Sequence, residues 1–304
     1  MLRQPRRRRA FTLLELLLVM VVFGIVAGAT VQIIVRQQRF YASMSDITSM
    51  RGSLRDAMGV LPIDLREISS AGGDIYAMSD SAIDFRASVG IAVACSIPTS
   101  TTIIIPPTTL VSRSGVTTWI AAPATGDTAF VYNDGTSPAT IDDSWFKVAL
   151  TAAPATGVCP TSSSFTSSAT EAAASYTLTV SPALPSTVIP GSLIRFYRRA
   201  KYKLFQPTAG GAWYLGYMDC PGGVCGTLQA VAGPFVAYSA TASATGLRFV
   251  YRDTTGAVTT DRTKVARIDI TARAQTDNII RMSGRPADYY ADSLVLSVAL
   301  RNRS

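Results

Sequence analysis

The sequence has no histidine among its 304 residues. That absence removes His-based triads, His-ligated metals and the side chain that most often moves protons near neutrality. There is no Walker loop, no nucleophile elbow and no paired-cysteine metal frame either. The sequence therefore predicts no enzyme activity, cofactor, metal or small-molecule substrate. An anchored catalyst built on Asp, Glu, Lys or Ser is the residual enzymatic alternative. Charged residues are sparse at 16%, yet 48% of the chain is hydrophobic, which excludes general disorder and predicts a buried core. Acids are outnumbered, 20 against 28 bases, but Arg3, Arg6, Arg7, Arg8 and Arg9 lie in the first ten positions. The other 23 bases leave an excess of only three, so the basic balance gives little reason to make nucleic acid the main partner.

Residues 11–35 are apolar apart from Thr12, Glu15, Thr30 and Gln32. As a helix rising about 1.5 Å per residue they span roughly 37 Å, enough to cross a hydrocarbon core of about 30 Å. The arginines before this segment predict a cytoplasmic N-terminus and an exported body. Three readings compete for it. One is a plain anchor, and a second is a secretory signal, since Ala27-Gly28-Ala29 has the small residues of a cleavage site. Neither accounts for Glu15, because an acid in an inserted apolar helix costs about 2.5–3.5 kcal/mol at its centre and marks a functional position with a partner.

The third reading takes the residues together. The run Arg6-Arg7-Arg8-Arg9-Ala10-Phe11-Thr12-Leu13-Leu14-Glu15 ahead of an apolar helix resembles the prepilin N-terminus of type IV pilins and type II secretion pseudopilins. The resemblance covers about the first 60 residues. It implies a leader, residues 1–10, cut between Ala10 and Phe11 by a prepilin peptidase of the inner membrane. It further implies methylation of the new Phe11 amine and a register-setting role for Glu15, which meets the amine of a neighbouring subunit. Ala10 stands where the family usually has glycine. The family's helix-bending proline is absent from the outer half of the apolar segment, so no melted stretch is expected there.

Beyond residue 35 the apolar pattern continues at Phe40, Met44, Ile47, Leu54, Met58, Leu61 and Leu65, with Arg51 as its one mismatch. This predicts an amphipathic continuation of the helix over residues 36–62, stopped or kinked at Pro62. A separate core helix is the alternative. Residues 63–304 then read as a β-rich head. Alternation predicts a strand at 265–273, with Ala266, Ile268, Ile270 and Ala272 buried, and a closing strand carrying Leu294, Leu296, Val298 and Leu300. A hairpin is expected from 193–205 and 212–218 across Gly210-Gly211, with another strand at 247–252. The Ala/Ser/Thr-rich region 151–175, whose only charge is Glu171, reads as a surface insertion or loose loop. The fold class expected is α+β, a long helix packed on an antiparallel, pilin-like sheet.

Cys95, Cys159, Cys220 and Cys225 all fall on the exported side, where disulfides persist. The turn-prone loop Cys220-Pro221-Gly222-Gly223-Val224-Cys225 predicts closure on itself, leaving Cys95 with Cys159 by elimination. A zinc site is the rival, weakened by the lack of histidine. Arg195, Arg198, Arg199, Lys201 and Lys203, interleaved with Phe196, Tyr197 and Tyr202, have the composition of a nucleic-acid contact. The duller alternative is a surface strand. Asp142-Asp143 and Asp134-Gly135 invite calcium, but match no EF-hand spacing and read as solvated turns.

The function expected is a minor pilin-like subunit at the tip or priming complex of a type IV pilus. It would reside in the inner membrane before joining other pilins or pseudopilins in a filament at the cell surface. A type II secretion minor pseudopilin is the alternative, and a filament-borne adhesin or DNA-binding pilin the second. The later strands loosely resemble minor pilins of the PilW type and the J-type minor pseudopilin.

Overall fold

A computed structural model describes residues 12–111, 115–137, 141–161, 163–241, 243–280 and 286–300. The chain divides into two compact units, one of residues 1–51 and 276–290, the other of residues 52–275 and 291–304. The first element, α1 (Leu13–Arg66), is a single helix of 54 residues that runs through both.

In the first unit, α1 is exposed from Leu13 to Tyr41 at every position but Ala27. Burial begins at Ile47 and Met50, at 7% and 2% exposure. Phe40 and Met44, although they belong to the apolar stripe, stay exposed. The mismatch at Arg51 resolves locally: Met50 takes the buried position, while Arg51 is exposed and donates toward the Tyr290 hydroxyl at 3.5 Å. Segment 276–290 is tied by backbone bonds between Thr276 and Tyr290 and between Ile280 and Asp288. Its Asn278 donates to the Asp46 carboxylate at 3.1 Å.

The second unit is the sheet with the C-terminal part of α1. Its strands in chain order are β1 (Ile75–Met78), β2 (Ala82–Val93), β3 (Ser96–Thr99), β4 (Thr102–Ile105), β5 (Thr118–Trp119), β6 (Thr128–Asn133), β7 (Ser144–Leu150) and β8 (Ala155–Gly157). After the short helix α2 (Ala169–Ala173) come β9 (Ser175–Ser181), β10 (Leu193–Phe205), β11 (Trp213–Cys220), β12 (Gln229–Phe235), β13 (Leu247–Arg252), β14 (Arg267–Gln275) and β15 (Ala291–Ala299). The main path runs β13-β14-β12-β11-β10-β6-β7-β9-β4-β3, with β2 beside β10 and β15 beside β14. The β10–β11 hairpin, β13, β14 and β15 correspond to the strands expected from alternation. Ile268, Ile270 and Ala272 are fully buried on one face of β14. The observed class is the expected one, α+β, with the helix packed against a large antiparallel sheet.

Two expectations need correction. Pro62 does not stop α1, which continues to Arg66. A proline inside a helix costs about 3 kcal/mol or more. Burial of Leu61, Leu65 and Ile68, all at 0% exposure, holds the last turn in place against that cost. Of the two readings of region 151–175, a surface insertion or a loose loop, the second fails. The region contains β8 and α2, and Glu171 is 4% exposed, accepting backbone N–H groups from Val111 and Ser167 at 2.7 Å each. Composition misled here because long-range bonds, rather than local propensity, order the segment.

Phe85 stacks on Tyr202, ring centroids 5.7 Å apart, and the Tyr202 hydroxyl donates to the Asp64 carboxylate of α1 at 2.7 Å. A second cluster gathers Val89, Ile103, Val131, Leu178 and Phe196.

Candidate functional site

The first turn of α1 is built by Thr12 and Glu15. The Glu15 N–H donates to Thr12 Oγ1 at 3.3 Å and the Leu16 N–H to the Thr12 carbonyl at 3.2 Å. Thr12 therefore caps the helix, and the spacing Thr-x-x-Glu is that of a capping box. Position matters as much as spacing, since a carboxylate in the first turn faces the positive end of the helix dipole. Among the described residues the Glu15 side chain accepts no hydrogen bond and forms no ion pair. From Leu13 onward the helix displays large apolar side chains, Leu13 at 82% and Phe23 at 73% exposure. Its most apolar 18-residue window has a mean hydropathy of 2.5 and no buried share. Length and composition suit a membrane span. Thr30, one of the few polar residues in this stretch, satisfies its hydroxyl by donating to the Val26 carbonyl at 2.8 Å. Ala10 and Phe11, the residues of the expected cut, lie outside the described residues.

Residues 5–31 match the family model of the prokaryotic N-terminal methylation motif. Type IV pilins and pseudopilins carry this motif at their N-terminus. The match assigns the N-terminal segment, residues 5–31, to a prepilin-type motif. The motif implies processing by a prepilin peptidase, and with the apolar helix it is consistent with an inner-membrane protein that passes to a pilus or the cell surface. No curated protein and no solved structure matches the chain. Pilins are typically structural proteins rather than enzymes.

In the pilin-like head the four cysteines form two disulfides, Cys95–Cys159 across 64 positions and Cys220–Cys225 across five. The first sits in a small cluster with Ala172 and ties β-strand and insertion together. The loop of the second lies against Thr125 and Gly126, where Gly222 takes a φ of 63° and any Cβ would meet the Thr125 carbonyl oxygen at 2.5 Å. Only glycine suits both demands.

The basic strand is β10, and the sheet separates its cations. Arg198 points inward at 6% side-chain exposure, with Nη2 2.8 Å from Asp127 Oδ2 and Nη1 3.0 Å from Asp219 Oδ2. Arg199, on the other face, forms a two-bond pair with the Asp84 carboxylate at 2.8 and 2.6 Å. The pairing weighs against the nucleic-acid alternative for these two, because their guanidinium groups are already occupied by carboxylates. Lys201, Lys203 and Arg195 share the face of Arg199, and Arg195 lies over the Trp145 ring, 4.6 Å from its centroid. The acids that receive these arginines, Asp84, Asp127 and Asp219, carried no signal in the sequence because each is remote from its partner along the chain.

The aspartates near β7 are turn residues. Asp142 accepts N–H groups from Thr136 and Ser137 at 2.7 and 2.9 Å, and these bonds hold its carboxyl below the ordinary range. Asp143 accepts from the Tyr132 hydroxyl at 2.6 Å, pushing that phenol up to about 12. Among the described residues no group of three potential metal ligands assembles.

Proposed function

We propose that this pilin-like protein is a minor subunit of a type IV pilus, incorporated at the tip or in the priming complex through α1. The carrying observation is Glu15: a carboxylate without a partner among the described residues, at the start of a helix that otherwise exposes apolar side chains. In a low-dielectric setting such a charge is costly alone and attracts a cation strongly. Cleavage before Phe11 supplies a cation of the right kind, an α-amine at the helix start of a neighbouring subunit. Pairing with it fixes one axial stagger while the apolar faces pack. The size of the head supports a minor role, since more than 200 residues beyond the helix would crowd every position of a tightly wound shaft. A minor pseudopilin of type II secretion would use the same device.

The test is Glu15→Ala expressed beside its sibling subunits. The variant should insert in the membrane and be processed normally, yet be missing from sheared filaments and from co-purified complexes of sibling pilins. Normal incorporation would overturn the pairing role. Intact mass of the membrane-extracted protein checks the premise, with loss of residues 1–10 and gain of one methyl group expected.

A further inference from the structure

The outer face of the head carries a cavity that the assembly role leaves unused. Strand pairing sets Arg195 of β10 opposite Phe130 of β6, and Arg199 of β10 opposite Arg86 of β2. Alternation along β10 places this face away from Tyr202 and its partner Asp64. The segment that follows α1 brings Glu67 and Asp74 to the rim. With Trp145 and Tyr197 these side chains line a space of about 320 Å³, at the lower end of the range for small-ligand pockets.

Its chemistry is mixed and balanced. The walls are aromatic: Phe130 and Tyr197 meet edge to face at 5.5 Å, and Trp145 is 39% exposed. Arg86 is buried, neutralised by Asp74, and rests 5.2 Å over the Phe130 ring. That leaves two exposed groups of opposite sign, Arg195 and Glu67. Neither forms an ion pair among the described residues, so donors on one and acceptors on the other remain available. Arg195 and Glu67 both lie close enough to the Tyr197 hydroxyl for their charges to act on that phenol.

Formal charges in the cavity sum to zero, which disfavours a polyanion such as nucleic acid, whose binding needs uncompensated cations. A purely apolar ligand would leave Glu67 and Arg195 desolvated without partners. A sugar ring meets every demand: hydroxyls to donate to Glu67 and accept from Arg195, and a face of polarised C–H bonds to lie against aromatic rings, whose faces are negative. We propose that this cavity binds a neutral saccharide through Glu67, Arg195 and Trp145. The proposal does not depend on how the subunit assembles.

The test uses the full chain in a detergent without a sugar headgroup, titrated calorimetrically with maltotetraose, cellotetraose, laminaritetraose and chitotetraose. At least one should bind saturably, with affinity unchanged by added salt. Glu67→Gln, an exposed and isosteric change, should weaken it about tenfold, as loss of a hydrogen bond to a charged group does, and Trp145→Ala, checked for an unaltered circular dichroism spectrum, should weaken it about tenfold through loss of the ring face. Absence of saturable binding by all four sugars overturns the proposal. So does sugar binding that both variants leave intact, or salt-sensitive binding of a single-stranded oligonucleotide in place of the sugars.

Discussion

Removing Asp127 should cost the head about 3–5 kcal/mol, the penalty for breaking a buried ion pair by deleting one partner. Its side chain is 1% exposed and that of Arg198 is 6%. Arg198 Nε donates to both Asp127 oxygens at 3.2 and 3.0 Å, and Nη2 to Oδ2 at 2.8 Å. Asp127 also accepts the Ala124 N–H at 2.8 Å, fixing the turn into β6. In Asp127→Ala the guanidinium keeps the Ala122 carbonyl and Asp219, whose side chain is 45% exposed. A half-solvated carboxylate compensates weakly, so the loss falls at the lower end of the range. Urea unfolding of the full chain in detergent, followed by tryptophan fluorescence, measures it. The double change Asp127→Leu with Arg198→Met should recover most of the loss, because apolar replacement of a buried pair is often neutral. A loss under about 1 kcal/mol in the single variant, the level of a surface pair, would refute the burial argument and return Arg198 to the pool of cations available to a phosphate.

Asp64 should show the opposite behaviour. Burial raises its carboxyl above the ordinary value, and the Tyr202 hydrogen bond offsets this only in part. The folded chain thus holds that proton more tightly than the unfolded chain, so ionised Asp64 weighs against folding above its raised value and ceases to do so below about 4. Asp64→Asn, which keeps an acceptor for Tyr202, should raise Tm at neutral pH, with the gain vanishing on acidification; a loss of the same size at every pH would contradict this. Opening the Cys95–Cys159 disulfide by paired serine substitution should cost about 4 kcal/mol from loop entropy. The five-residue-spaced Cys220–Cys225 bond should cost about 2 kcal/mol. Equal midpoints in urea for the two serine pairs would show that chain entropy does not set the order.

What the sequence disclosed follows the range of the interactions involved. Thr12 and Glu15 lie three residues apart, and the apolar run after them answers to one requirement, an apolar surrounding, so the helix start is readable in a ten-residue window. β14 is equally plain, since one buried face forces Ile268, Ile270 and Ala272 into alternation. The alternation of β10 is visible too, yet nothing near it says that Arg198 faces inward. That depends on Asp127, 71 positions away, and Asp219, 21 away. Region 151–175 reads as loose for the same reason. Its order comes from Cys95 and from the backbone of Val111, 60 positions from Glu171.

The same contrast bears on what each half of the molecule can tolerate. The pairing device proposed for Glu15 is made from neighbouring residues and would survive any change in the head that leaves α1 exposed. The cavity draws Glu67, Arg86, Phe130, Trp145 and Arg195 from five separate stretches, so its geometry depends on the registers of β2, β6, β7 and β10 together. A single-residue slip in any of these strands would turn its side chains to the other face. Gly90 guards one register: a Cβ there would come within 2.5 Å of the Thr118 carbonyl oxygen, so β5 closes on β2 only because that position has no side chain. The head can therefore lose its cavity by small shifts that leave the proposed filament role untouched, which is why the two must be tested by separate variants.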